Sequence, residues 1–149
     1  MAKKTQTTRK TQTTKTTNNP EGELFALLGE HAAARRAVCT AAVRIDRCRD
    51  AGDLAGMRHH GATSDAFVRK LVELEPRIAA AKAFTSAGYN AKSKIIERID
   101  PDDPEFPIYL FLLGADAQRV GIAELPRFLT KRLTAEALRT YTEHVASAA

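Results

Sequence analysis

From Glu21 to about Asp50, apolar or small residues return every three or four positions: Leu24, Leu27, Leu28, Ala34, Val38, Ala41, Ala42, Ile45 and Cys48. That spacing is the period of one helix face. Thirty helical residues span about 45 Å. A rod of that length in so short a chain must find other helices to lie against. Six alanines between Ala32 and Ala42 let a neighbouring helix approach closely. Ala51-Gly52-Asp53 ends the helix, glycine being suited to a C-terminal cap.

The rest of the chain repeats the helical theme. Gly52, Gly56 and Gly61 mark a connection with room for one short helical turn. A second helix is expected to open at Thr63 or Ser64, either a good N-cap. Its stripe, Phe67, Leu71, Leu74, Ile78 and Ala81, steps in heptad-like fashion, as in a coiled coil, and is expected to be core. The stripe stays in phase across Pro76, which predicts a kink rather than a break. Thr85 or Ser86 can cap a third helix carrying Ala91, Ile95, Ile96 and Ile99. Asp100-Pro101-Asp102-Asp103-Pro104 is a breaker. A fourth helix, about Pro107 to Arg119, contains six consecutive apolar residues from Ile108 to Leu113. A final amphipathic region carries Leu125, Phe128, Leu129, Leu133, Leu138, Tyr141 and Val145. No alternating strand pattern interrupts this series. The fold class is therefore all-α, a small bundle of four to five helices with a long N-terminal helix.

The chain carries 23 basic and 18 acidic residues. Five of the basic ones, Lys3, Lys4, Arg9, Lys10 and Lys15, fall within Met1–Asn19, which contains no acid. The remainder is charge-balanced. The tail is a repeat: Lys4-Thr5-Gln6-Thr7-Thr8-Arg9 is followed by Lys10-Thr11-Gln12-Thr13-Thr14-Lys15. It has no Leu, Ile, Val or Phe, so it cannot offset the entropy of ordering, and disorder is expected over residues 1–20. Residues 21–149 are expected to form one helical domain.

No run of eighteen apolar residues is present, so no membrane span is expected. No apolar segment follows the basic tail directly, which argues against a secretory signal. Cys39 and Cys48 share one helix, about 13 Å apart along its axis and on opposite faces. That is too far for a disulfide, and a reduced, cytoplasmic compartment is expected.

The segment Thr85-Ser86-Ala87-Gly88-Tyr89-Asn90-Ala91-Lys92 resembles a T-x-x-G-x-x-A-K turn-and-helix motif of uncharacterised short all-helical bacterial proteins. The resemblance covers roughly residues 67–119. It extends to Leu112-Leu113-Gly114-Ala115-Asp116, where the family's short apolar helix ends near an aspartate. The family usually places serine and arginine before that aspartate, where this chain has Gly114 and Ala115. The resemblance implies a fold and no reaction. Within it, Thr85, Gly88 and Lys92 are expected to be structural, with Thr85 as cap and Gly88 permitting close helix packing at the turn.

Few residues suggest chemistry. Lys3, Lys4, Arg9, Lys10 and Lys15 are candidates for phosphate contact, with a salt slope of roughly four to five if all engage duplex DNA. The tail has no aromatic residue on which bases could stack. Arg58-His59-His60-Gly61 reads as two solvated loop histidines, since adjacent ligands alone do not define a metal site. His31 lies in phase with the first helix's apolar stripe and is expected at the core edge. Arg35 and Arg36 are expected to be solvated or paired with acids such as Glu73 or Glu75. Asp100, Asp102, Asp103 and Glu105 lack the spacing of a calcium loop and read as a capping turn. Asn90-Ala91-Lys92-Ser93 lacks the Gly-Lys-Ser/Thr ending of a phosphate loop. No nucleophile motif is present, and no catalytic residue, cofactor or metal is expected. The expectation is an accessory or interaction protein acting through helical faces, with a protein partner or a second copy and no membrane. The alternative is weak, non-specific nucleic-acid binding through the tail.

Overall fold

The computed structural model describes residues 19–122 and Arg139. The candidate phosphate contacts Lys3 to Lys15 and the amphipathic region from Leu125 to Val145 lie outside the described residues. Four helices follow one another: α1 (Gly22–Asp50), α2 (Leu54–Ala80), α3 (Ser86–Ile96) and α4 (Phe106–Val120). There is no strand among the described residues.

α1 and α2 form a long antiparallel hairpin, tied toward its base by Lys70 Nζ to Glu30 Oε2 at 3.4 Å. This ion pair joins the helices, rather than one from Arg35 or Arg36. At the tip, Gly52 adopts φ 71°, a left-handed conformation that only glycine holds without strain. α2 then begins at Leu54 with Asp53 as its N-cap, ten residues ahead of the expected cap at Thr63. Asp53 is the reason. Its Oδ1 accepts the Gly56 N–H at 2.9 Å and caps the helix. A Cβ on Gly56 would stand 2.7 Å from Cys48 Sγ, so this glycine is where α1 and the cap close in. Packing against α1 outweighs the poor helix propensity of glycine here. His59 and His60 consequently sit on a helix, not in a loop, with ring centroids 5.1 Å apart. α2 runs through Pro76 unbroken.

The core lies at the base of the hairpin. Leu24 and Leu27 of α1 meet Leu74, Ile78 and Ala79 of α2, Tyr89 and Ile96 of α3, and Phe106, Leu110, Leu113 and Ala117 of α4. His31 is buried here as well. Burial, with Arg35 and Arg98 nearby, pulls its imidazole below the ordinary histidine value. Between α3 and α4, Asp100 Oδ1 accepts the Asp102 N–H and Asp103 Oδ1 accepts the Glu105 N–H; these bonds tie the turn itself, and no side chain caps α4 as the acidic segment suggested. Pro107 occupies the first turn of α4, where its missing N–H costs nothing.

Between Ala41 and Leu74 no residue is buried. The far half of the hairpin is therefore an arm of two helices standing beyond the core. Leu74 and Ile78 are buried as their stripe predicts, whereas Phe67 and Leu71, on the same stripe, are only half-buried. Two helices alone cannot enclose what four can.

Candidate functional site

The connector 81–85, between α2 and α3, is gripped by side chains from α3, α4 and Glu21, the residue before α1. Lys92 of α3 donates from Nζ to the Ala81 carbonyl at 2.9 Å and to Asp116 Oδ2 at 2.5 Å. Asp116 of α4 accepts the Ala83 N–H at 3.1 Å on its other oxygen. Arg119 donates to that same carboxylate and, at 3.2 Å, to the Ala83 carbonyl. Its guanidinium also lies 5.3 Å from the centroid of the Phe84 ring, a cation–π distance. From the opposite side, Glu21 takes the Phe84 N–H at 2.6 Å, the Thr85 N–H at 2.8 Å and the Thr85 hydroxyl at 2.7 Å.

Thr85 thus acts twice. Its hydroxyl donates to Glu21 and accepts the Gly88 N–H at 3.1 Å, which caps α3 as expected. Gly88 has a different role from the one its position suggests. Its missing side chain does not admit another helix; a Cβ there would lie 2.9 Å from the Glu21 carboxyl carbon. The glycine leaves room for an anion seated at the N-terminus of α3, where the helix dipole also favours negative charge. Lys92 is 1% exposed, so it is an interior cation paired with an interior anion, and not a surface phosphate ligand.

Two acids and two bases make up the clamp, so its formal charge is balanced. Burial pushes the Glu21 carboxyl up, but the Thr85 hydroxyl and the Phe84 and Thr85 amides outweigh it, and the net shift is downward. Burial pulls Lys92 below the ordinary lysine value, opposed by Asp116 and reinforced by Arg119. Every hydrogen bond described here ends on this chain's own backbone or on another clamp residue. The arrangement fixes the connector and thereby the angle of α3 and α4 against the hairpin.

The T-x-x-G-x-x-A-K segment supplies only Thr85, Gly88 and Lys92. Glu21, Asp116 and Arg119 complete the unit. Asp116 carried a signal, being a lone acid in an apolar helix, since buried acids are normally paired. Glu21 carried none, because its partners lie 63 and 64 residues away.

A second acidic group sits at the other end of α4. The Tyr109 hydroxyl donates to Glu105 Oε2 at 2.5 Å. Burial and nearby Asp103 raise the Glu75 carboxyl above its ordinary value. No group of three or more His, Cys, Asp or Glu residues is placed to hold a metal among the described residues. No described helix is long and apolar enough to cross a membrane.

Comparison with protein-family models, curated proteins and solved structures found no match. What fold and clamp define is an all-α protein whose interior polar groups brace the fold, and whose two-helix arm extends beyond it.

Proposed function

We propose that this chain is a non-catalytic interaction protein of the cytoplasm that works through the helical faces of its α1–α2 arm. The carrying observation is the arm itself, a two-helix projection with no buried residue between Ala41 and Leu74. Leu54 and Val72 on α2 are 67% and 61% exposed. Apolar residues held out on a rigid element suit a partner's surface. The reading gains from the clamp, where each ionised side chain is used to hold the chain's own connector. The test is capture of host proteins by the intact chain and by two variants. Leu54→Glu with Val72→Glu should lose the captured partner, while Ile108→Glu, on the head, should keep it. Capture unchanged by the arm variant would sink the proposal.

Charge supports a second reading, weak nucleic-acid binding. Residues 35–69 hold seven arginines and four acids, and Arg36, Arg44 and Arg47 lie on the outward side of α1. Together with Lys3, Lys4, Arg9, Lys10 and Lys15 they could neutralise phosphates. A mobility shift with duplex DNA should weaken with salt by a log–log slope of roughly four to five from the tail alone. A shift indifferent to salt, or unchanged when residues 1–18 are removed, would refute the tail's part.

A further inference from the structure

We infer that the arm's partner is a second copy of this chain, docked α2 against α2 in antiparallel order about a two-fold axis at Gly61. This rests on the interaction reading above and specifies its face and its partner.

The inference starts from a stripe. Leu54, Gly61 and Val68 follow one another at seven-residue intervals, and Val72 comes four further on, so all four fall on one side of α2. The same side ends in Ala79, which the core covers. Short of the core it is bare: Leu54, Val68 and Val72 are all exposed.

Gly61 sits in the middle of this stripe and inside the helix. Glycine weakens a helix interior. Gly56 and Gly88 each have a reason within the chain, since a Cβ would strike a neighbour. Nothing lies within 4 Å of a Cβ on Gly61, nor of one on Gly29 in α1, so no packing in this chain requires a glycine at either; Gly61 differs in lying on the exposed apolar stripe. A second helix crossing at Gly61 would require one, because a missing side chain lets two backbones approach.

Charge then chooses the partner. Arg58 and Asp65 lie three positions before and four after Gly61, on the same flank of the stripe, and both are exposed. An antiparallel copy about Gly61 places each Arg58 across from the second copy's Asp65, twice by symmetry. It also sets each Leu54 beside the second copy's Val68. A two-fold contact of this kind requires that one patch be its own complement, and this patch is. Parallel pairing would instead put this flank of the two copies on opposite sides of the seam, and Arg58 would meet no Asp65.

The larger charge pattern agrees in sign. The arm between Ala41 and Leu74 has six basic and five acidic residues, while the rest of residues 19–122 has eight basic and ten acidic residues. Antiparallel docking points each net-positive arm toward the net-negative head of the other copy.

The test is sedimentation velocity of the full chain up to high micromolar concentration, with circular dichroism to confirm unchanged helicity. The wild type should dimerise. Arg58→Glu and Asp65→Arg should each raise the dimer dissociation constant about tenfold, two pairs turning from attraction to repulsion. The double variant Arg58→Glu/Asp65→Arg should return it to within about threefold of wild type. A chain monomeric throughout, single variants without effect, or a double variant no better than the singles would each overturn the inference. A monomer whose Leu54→Glu/Val72→Glu variant still loses a host protein would overturn the two-fold contact and leave the interaction reading standing.

Discussion

Asp116→Ala should be among the most damaging single substitutions in this protein, and more damaging than Lys92→Met. With Asp116 gone, the Lys92 ammonium, 1% exposed, retains only the Ala81 carbonyl. The Ala83 N–H loses its acceptor. Removing one partner of a buried ion pair costs about 3–5 kcal/mol, and a stranded buried N–H adds about 1–3 kcal/mol. A loss of about 4–8 kcal/mol is expected, a large share of the 5–15 kcal/mol typical of a domain. With Lys92 replaced by methionine, Asp116 still has Arg119 and the Ala83 N–H. Methionine fills most of the volume, and the loss should be about 2 kcal/mol. Lys92→Met/Asp116→Leu leaves no buried lysine charge and should be more stable than Asp116→Ala alone. Urea unfolding followed by circular dichroism gives all three values. The Asp116→Ala deficit should also shrink with rising pH. Burial already holds Lys92 below its ordinary value, so the folded variant loses its proton before the unfolded chain does, and stability rises through that interval. A Lys92→Met variant as unstable as Asp116→Ala, or a double variant less stable than both, would refute this account of the clamp.

Glu21→Gln should lower stability near neutral pH. Because the folded Glu21 value is depressed, its contribution is present above about pH 4.5 and lost as pH falls through the folded value; the gap between wild type and variant should therefore close in acid, and a constant gap would contradict it. His31→Gln should flatten the stability profile just below pH 6.5. The depressed His31 contributes stability that is present above that value and lost as pH falls through its folded value, which thermal melts at several pH values would detect. Gly88→Ala should destabilise despite alanine's roughly 1 kcal/mol helical advantage, because its Cβ meets a Glu21 carboxylate held by three hydrogen bonds. Gly29→Ala, with open space around its Cβ, should stabilise by up to about 1 kcal/mol, and equal melting shifts for the two would count against the Glu21 contact. Leu74→Ala should cost about 2–5 kcal/mol and Leu71→Ala clearly less, since Leu74 is buried and Leu71 is not; equal costs in denaturant titrations would mean the arm is better enclosed than described.

What the sequence determined by itself is what depends on near neighbours. Three- and four-residue periodicity placed the first helix from Glu21 to about Asp50, within a residue of α1, because a helix face is written within two turns. Thr85 was legible as a cap because its acceptor role is spent three residues on, at Gly88. The acidic breaker after α3 was legible for the same reason: Asp100 and Asp103 bond to amides two residues away. Where the sequence reading missed, distance in sequence was the cause. Gly56 and Gly61 read as a loop because their propensities oppose a helix, and only α1 alongside and the Asp53 cap override that. Gly88 read as a packing glycine because Glu21, which fills the space, lies at the far end of two helices. Lys92 shows the division most plainly. Its place on α3 follows from local pattern, but only the tertiary structure buries it against Asp116, because enclosing a charge requires walls drawn from several helices at once.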